Sequence, residues 1–528
     1  MAIKLSLPTV AETADPSIET RPVYIEEWIE NLAYATPARL LDQTLESVRA
    51  LNTQPMKATQ RLNLLDQHIK PYGFALAFRR TQEPAQTSVV LQRQRDVSKG
   101  LRLLSSELAL GYKQALADLM GKKSSFGGNR DLRQSLQRAS LFCSLNLLHS
   151  YDEYRPPQKQ TWQEVIALYK YSEKLELHTA PVAVELDDDS GFGDSTATLF
   201  KRLCVTSLVD PYHLSYGELW CVYEAFGKYA SSADVIRITD VKRPAGIFVI
   251  DPELDHCPVA YAQLKTPPHK SCRLLDANPV LKELRNHKPS ANVNEGVPSH
   301  VLAAMVRALG LPPKRHTPRE SSEGKVVVAV GLSTVHHFLR DGGNTQQATS
   351  TNEDEIEIHA DAGPDTTARY SYSSEAWKVI DEGPGGYGLV RDDPPDNPAG
   401  AGELIGLNFP QRGDGEFDWI IGVVRWVNIS TDNKQQMGIQ VISASALPIN
   451  VFAENVTDTI TRIPRPALAI PFLDAERGTT IISPRGIFAK GSQLRIAGET
   501  HISLIEAKSL LESTSTLDRF SFKVLEEN

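Results

Sequence analysis

The chain has 528 residues, 41% hydrophobic and 23% charged, a composition typical of a soluble protein with room for about three domains. Its formal net charge of −9 excludes general nucleic-acid binding, which requires a broad basic face. No apolar run is long enough for a membrane span, and no signal peptide is evident. The five cysteines lack the spacing of a disulfide framework or a zinc site, so we predict a cytoplasmic protein.

The first half of the chain is predicted to be mostly helical. A flexible N-terminus at residues 1–22 precedes a helical domain that we place at residues 23–285. Apolar residues recur at helical spacing over 25–41, 42–51, 98–120, 130–149, 161–175, 197–208 and 216–229. Thr161-Trp162-Gln163-Glu164 matches a capping box at the start of one of these helices.

Short β elements are predicted to close the helical domain. Strands rich in β-branched residues are expected at 235–239, 246–250 and 259–262. A helix follows at 279–286, and a linker and a further helix fill residues 286–311.

From residue 325 onward the chain is predicted to be mostly β. Short apolar segments separated by glycine and proline occur at 326–330, 376–380, 387–390, 403–408, 419–427, 437–443, 467–470, 479–482, 493–496, 501–506 and 519–524. This spacing indicates one barrel at 312–447 and a second small barrel-like domain at 458–528, with a break near 450–461. The polar, acidic stretch 340–370 is interpreted as an exposed insertion in the first barrel. The predicted fold class is therefore multidomain α+β, with a helical domain followed by two antiparallel barrels.

An arginine pair marks the start of the β region. Arg315 and Arg319 lie four residues apart in a proline-containing segment that is not helical and leads into a strand. Each guanidinium can donate two parallel hydrogen bonds, which suits phosphate oxygens and the O6/N7 edge of guanine. Lys314 adds local positive charge. The segment therefore predicts a receptor for a guanine nucleotide, not an enzyme.

The order of motifs after the arginine pair is informative. A strand leads into Asp381-Glu382-Gly383-Pro384-Gly385-Gly386, a later strand contains Trp426, and Gly438 opens a further apolar strand. With RxxxR in front, residues 312–447 resemble the PilZ family, six-stranded barrels that bind cyclic di-GMP. The whole layout resembles the large multidomain receptors of that family that act in type IV pilus-dependent surface attachment.

The resemblance implies a cyclic di-GMP ligand, no other cofactor, and a set of site residues. Arg315 and Arg319 would hold the phosphates and guanine edges, with Lys314 adding charge. Asp381 would accept hydrogen bonds from a guanine edge or fix an arginine, while Gly383 and Gly386 would let the backbone pass close to the ligand. The chain departs from the family pattern by having Gly383 in place of serine, by Pro384, and by the 62 residues that separate Arg319 from Asp381.

The resemblance also implies an output. Cyclic di-GMP level would be coupled to an unidentified protein partner, for which the resemblance suggests the pilus machinery, in twitching motility or surface attachment, with recruitment to a cell pole. A scaffold or adaptor with a degenerate barrel that has lost its ligand is the alternative function.

Other sequence patterns favour different sites but lack the context for them. Gly383 to Gly388 match G-x-G-x-x-G, yet the residues that follow cannot form the helix that a dinucleotide fold requires. His336 and His337 are expected on a strand, where adjacent side chains point to opposite faces and cannot readily bind one metal ion. Motifs of common hydrolases and of cyclic di-GMP synthesis or breakdown do not occur in the sequence.

Overall fold

The structure of the chain is a computed structural model. It describes residues 3–81, 88–120, 128–182, 193–239, 241–242, 244–286, 297–310, 319–340, 372–392, 399–410, 419–453, 464–471, 478–498 and 501–527. The chain forms two compact units, here called the helical unit and the barrel unit. Most residues up to 313 belong to the helical unit, and the barrel unit contains the residues from 314 onward together with residues 212–216. None of the helices in these ranges is both long enough and apolar enough to cross a membrane.

Among the described residues, the helical unit begins with nine α-helices. They are α1 Pro22–Glu30, α2 Pro37–Thr53, α3 Ala58–Gln67, α4 Ile69–Thr81, α5 Ser88–Met120, α6 Gly128–Asp152, α7 Thr161–Lys174, α8 Thr196–Ser207 and α9 Glu218–Tyr229. The long helix α6 is almost entirely buried between residues 135 and 152, and its Phe142 stacks on Tyr112 of α5 with ring centroids 5.5 Å apart. The predicted helical character of this region is confirmed.

Charged side chains in this core are buried as pairs. Arg79 and Asp152 are each about 2% exposed and are joined by a 2.7 Å contact, and Lys113 donates to Glu164 at 2.7 Å. Burying an isolated charge costs several kcal/mol, so each of these ions depends on its partner.

The start of α7 differs from the prediction. Thr161 is the first helical residue and not the cap, and its hydroxyl donates backward to Gln158 O at 2.8 Å. The first-turn backbone amides of Trp162 and Gln163 donate instead to Oδ1 of Asp255, at 3.0 and 3.3 Å. A carboxylate distant in sequence thus provides the cap that the local pattern assigned to threonine.

A small antiparallel sheet completes the helical unit. Its strands are β1 Asp234–Arg237, β2 Ile247–Ile250, β3 Val259–Ala260 and β4 Arg273–Asp276, in the order β1-β4-β2-β3. Three of these were predicted, and β4, which pairs with both β1 and β2, was not. Helices α10 Asn278–Asn286 and α11 Ser299–Ala308 follow.

The barrel unit contains two closed six-stranded barrels. The first has the strand order β10-β7-β6-β5-β8-β9, with β5 Glu320–Val330, β6 Ser374–Gly383, β7 Gly386–Arg391, β8 Leu404–Asn408, β9 Ile420–Ile429 and β10 Gln435–Ser443. The second has the order β11-β12-β13-β16-β15-β14, with β11 Leu447–Ala453, β12 Arg465–Ile470, β13 Thr480–Pro484, β14 Gln493–Ala497, β15 Ile502–Ser513 and β16 Leu517–Glu527. All strand pairs are antiparallel, and the predicted fold class is confirmed.

Two elements of the barrel unit were missed. Strand β11 lies where the sequence analysis placed the start of a break between domains. Helix α12, Leu332–Arg340, follows β5 directly, after Gly331 adopts a left-handed conformation with φ of +92°. His336 and His337 therefore lie on a helix, and the prediction that they lie on a strand is wrong.

The two barrels share a hydrophobic core cluster, and the second barrel has a further core cluster of its own. Buried side chains of the first barrel, including Trp419 and Ile421, pack in one cluster with Leu468, Ile470 and Ile482 of the second. Helix α12 contributes Val335 to the same cluster. The barrels are thus joined by packed side chains and not only by the chain between them.

Candidate ligand-binding face on the first barrel

Arg319 and Asp381 meet at the edge of the first barrel. Arg319 immediately precedes β5, and Asp381 lies on β6, where it is the register partner of Ser321. Nη1 of Arg319 donates to Oδ1 of Asp381 at 2.6 Å. Their side chains are 29% and 31% exposed, so both groups face solvent in part and remain accessible to a ligand. Pairing of β5 with β6 thus brings together two motifs that are 62 residues apart in the sequence.

The other two cationic residues of the predicted site, Lys314 and Arg315, lie outside the described residues. Their part in the site stays a prediction from the sequence.

The predicted glycines form the tip of the β6–β7 hairpin. Gly383 pairs with Gly386, and Pro384 and Gly385 make the two-residue connection. A β-carbon on Gly386 would lie 1.8 Å from the carbonyl oxygen of Ile439, so glycine is required here by the close approach of β10. Packing against β10 therefore explains why residue 386 is glycine, whereas the sequence predicted a close approach of the backbone to a ligand. A hairpin at this position also excludes the dinucleotide fold, which requires a helix after the glycines.

A row of four residues runs across the barrel next to the ion pair. Asp381 of β6 pairs with Gly388 of β7, Gly388 with Gly438 of β10, and Gly438 with Trp426 of β9. We call this set the outer-face row, because the strand neighbours Leu389, Met437 and Val427 are fully buried inside the barrel.

Side chains lean over the two glycines of the outer-face row. A β-carbon on Gly388 would lie 2.7 Å from Oδ1 of Asp381, and one on Gly438 would lie 1.9 Å from Nε1 of Trp426. The carboxylate of Asp381 and the indole of Trp426 thus pack directly against the two glycines. Sequence analysis named Asp381 but did not identify Gly388 or Gly438 as site residues, although glycine inside a strand often marks close approach of another group.

Arg425 extends this face toward the second barrel. The register between β9 and β10 shifts at this point, because Gly438 pairs with Trp426 and Ile439 with Val424, which leaves Arg425 as a bulge residue. Its Nε donates to Oε1 of Gln440 at 2.7 Å, and its Nη1 lies 2.5 Å from Oε1 of Glu512 on β15.

The chemistry of this face is that of an open recognition surface. Arg319 offers parallel N–H donors, Asp381 offers two acceptor oxygens, and Trp426 offers a half-buried aromatic ring. These groups match a planar base with donor and acceptor edges and an attached phosphate.

A small cleft beside α12 is separate from this face and contains none of the predicted site residues. Its wall includes His337, whose ring stacks on Tyr372 with centroids 4.4 Å apart. The cleft is lined by Ser333, His336, His337, Arg340, Tyr372 and Pro466.

Comparison with known proteins gives a consistent result for most of the chain. Residues 24–239 match the family model of the N-terminal domain of the cyclic-di-GMP receptor FimW. Residues 247–362 and 343–448 match the model of the middle PilZ domain of the same receptor. The chain belongs to the FimW family of PilZ-domain proteins. The matched segment of the PilZ model contains the whole first barrel, including Arg319 and the outer-face row.

A curated FimW supports the same assignment. The cyclic-di-GMP receptor FimW of Pseudomonas aeruginosa is 24% identical to this chain, and the alignment covers 99% of the chain and 94% of that protein. The predicted membership in the PilZ receptor family, and its large multidomain type, are thus confirmed. No solved structure matches the chain.

Proposed function

We propose that this chain is a cyclic di-GMP receptor that binds its ligand on the outer face of the first barrel. The contact between Arg319 and Asp381 is the observation that best supports this function. It joins the second arginine of RxxxR to the acidic residue of the second PilZ motif, in a chain whose family is described as a cyclic-di-GMP receptor family.

The groups on this face suit the ligand chemically. Cyclic di-GMP has two guanines and two phosphates, so it offers N–H donors, O6/N7 acceptors and negative charge. The Asp381 carboxylate can accept hydrogen bonds from the N–H edge of guanine, while Arg319 and Arg315 donate to phosphate oxygens or to O6/N7. Lys314 adds charge, and Gly383 and Gly386 at the hairpin tip keep bulky side chains away from the approaching ligand.

We further propose how ligand binding produces an output. The helical domain at 23–285, the linker and helix at 286–311, the PilZ barrel at 312–447 and the C-terminal domain at 458–528 act together as a receptor without enzymatic activity. Binding changes the exposure of a surface that a protein partner recognises. In this proposal the partner belongs to the type IV pilus machinery, and the receptor acts in the cytoplasm, recruited to a cell pole, in twitching motility or surface attachment.

Calorimetric titration of the purified full chain with cyclic di-GMP tests the receptor function. We expect binding by the wild type and its loss in the Arg315→Ala/Arg319→Ala variant. Arg391→Ala is the matched control, because Arg391 also pairs with a strand carboxylate of the first barrel, Glu375, and its side chain is similarly exposed at 25%.

The outcomes separate the two candidate functions. Binding by the wild type and the Arg391→Ala variant, but not by the double variant, supports the receptor. Failure of the folded wild type to bind overturns the receptor proposal and leaves the scaffold, with a barrel that has lost its ligand.

A further inference from the structure

Three potential metal ligands converge at one end of the small sheet in the helical unit. Strand β2 ends at Ile250, which pairs with Arg273 at the start of β4, so Asp251 and Cys272 flank the same end of this strand pair. His269 lies three residues before Cys272. One ligand atom from each of Asp251, His269 and Cys272 lies within 4.8 Å of the others, and Nε2 of His269 is 3.0 Å from Oδ1 of Asp251.

We infer that Asp251, His269 and Cys272 form a binding site for a divalent cation of the zinc class. A tetrahedral zinc ion has bonds of about 2.0 to 2.3 Å to carboxylate, imidazole and thiolate, which places its ligand atoms roughly 3.3 to 3.7 Å apart. The three groups already lie near that spacing, so small side-chain rotations suffice. A carboxylate and a thiolate together balance the two positive charges of the ion.

Two of the three candidate ligands are partly exposed, so solvent could reach a bound ion. The His269 side chain is 40% exposed and that of Asp251 is 19% exposed, whereas Cys272 is fully buried. An ion held by the three side chains would therefore keep a water molecule on its outer side. This combination of three protein ligands and one open position is typical of zinc sites that are not purely structural.

The imidazole is already oriented for such a site. Nδ1 of His269 lies 2.5 Å from Oγ of Ser271, which leaves Nε2 directed toward Asp251. The backbone N–H of Cys272 donates to His269 O at 3.0 Å, and Nζ of Lys170 donates to Ser271 O at 2.8 Å, so the turn is fixed on two sides. A metal-binding histidine usually has its second ring nitrogen held by an oxygen in this way.

The same contacts also permit a structure without an ion. Oδ1 of Asp251 accepts from the backbone N–H of Glu253 at 2.9 Å and is within hydrogen-bond distance of His269. An ion would replace the direct contact between His269 and Asp251, and it would bring the Cys272 sulfur into the same shell. Direct measurement of metal binding separates these two states.

Cobalt(II) is the probe, because a bound thiolate gives this ion a charge-transfer absorption. The purified full chain is first freed of metal with a chelator, then titrated with Co²⁺, and the bound Co²⁺ is displaced with Zn²⁺. We expect the absorption in the wild type and its loss in Cys272→Ser. Cys257→Ser is the matched control. Cys257 is a half-buried cysteine that lies, like Asp251, between β2 and β3, and it is not part of the cluster.

Two further variants keep the test decisive if Cys272→Ser does not fold. His269→Gln changes a largely exposed side chain, and we expect it to weaken Co²⁺ and Zn²⁺ binding by at least about tenfold while circular dichroism stays unchanged. Ser271→Ala removes only the orienting hydroxyl and should weaken binding by a smaller factor.

The inference is overturned if the wild type gives no thiolate absorption with Co²⁺. It is equally overturned if His269→Gln binds within about threefold of the wild type. Neither result depends on cyclic di-GMP, so this test and that of the receptor function can fail independently.

Discussion

Substitution of Gly388, a glycine of the outer-face row, tests whether the position of the Asp381 carboxylate matters for ligand binding. In Gly388→Ala the new β-carbon would lie 2.7 to 2.8 Å from both carboxylate oxygens and the Cγ of Asp381, well inside contact distance. The carboxylate must move, and its 2.6 Å contact with Arg319 is then lost. The backbone of β7 itself accepts alanine readily, because glycine in a strand is less favourable than alanine by about 0.5–1 kcal/mol.

The expected magnitudes for stability and for ligand binding differ. Loss of an ion pair whose members are about one-third exposed costs roughly 0.2–1 kcal/mol, which the glycine replacement offsets, so the free energy of unfolding should change by less than about 1 kcal/mol. Loss of one charge-assisted hydrogen bond to the ligand costs about 1.5–3 kcal/mol, which corresponds to a roughly 10- to 150-fold weaker affinity for cyclic di-GMP.

Calorimetric titration and urea denaturation measure the two quantities on the same preparation. Gly324→Ala is the matched control, because a β-carbon there meets only Val379, at an ordinary 3.9 Å. The control should bind as the wild type does. The reasoning is refuted if Gly388→Ala binds cyclic di-GMP within about threefold of a wild type that itself binds.

Three further predictions concern the stability of the fold. Gly438→Ala should cost about 1–3 kcal/mol in urea denaturation, because its β-carbon would lie 1.9 Å from Nε1 of Trp426 and must displace the indole. Asp152→Ala should cost about 3–5 kcal/mol by the same measurement, since it removes the carboxylate that pairs with the buried guanidinium of Arg79. Burial lowers the pKa of His68 to about 4 from an ordinary value near 6.5, so the folded state holds it neutral. The stability that depends on a neutral His68 is fully present above pH 6.5 and is lost as the pH falls toward 4. The free energy of unfolding should then decrease by about 3 kcal/mol, measured by urea denaturation of the helical unit followed by circular dichroism.

Each of these predictions has a control at a position outside the core. Glu19→Gln breaks a surface pair with Arg21 and should lower the free energy of unfolding far less than Asp152→Ala does, so an equal cost for the two variants would contradict the burial argument. His68→Gln should flatten the acid dependence, whereas His501→Gln, at an exposed position, should leave it unchanged. For Gly438→Ala the control is again Gly324→Ala. Equal free energies of unfolding for the two variants would show that the indole is free to move.

Regular periodicity explains which parts of the fold could be predicted. Helices α5 and α6 have apolar residues at helical spacing that the core confirms, and most strands of both barrels fall on short apolar segments between glycines and prolines. Strand β4 was missed because its four residues are too few to stand out, and strand β11 was missed because Pro448 interrupts its alternating apolar residues. Helix α12 was missed because a helix of nine residues within a β pattern depends on the packing of Val335 in the shared core.

Some site residues could likewise be predicted from sequence motifs, whereas others depend on contacts between distant parts of the chain. The resemblance to the PilZ family singled out Arg319 and Asp381, whose contact then follows from the pairing of β5 with β6. The cap of α7 by Asp255 and the roles of Gly388 and Gly438 could not be predicted in this way. They depend on which groups become neighbours across the fold, and no local pattern encodes that.

The core shared by the two barrels has a consequence for dissecting this protein. Leu468, Ile470 and Ile482 cover apolar side chains of the first barrel, so cutting the chain near residue 448 would expose Trp419 and its neighbours to water. A shortened first barrel would then be prone to aggregate, and failure to bind a ligand in that form would reveal nothing about ligand binding by the intact chain. Domain swaps between relatives should therefore transfer both barrels as one piece.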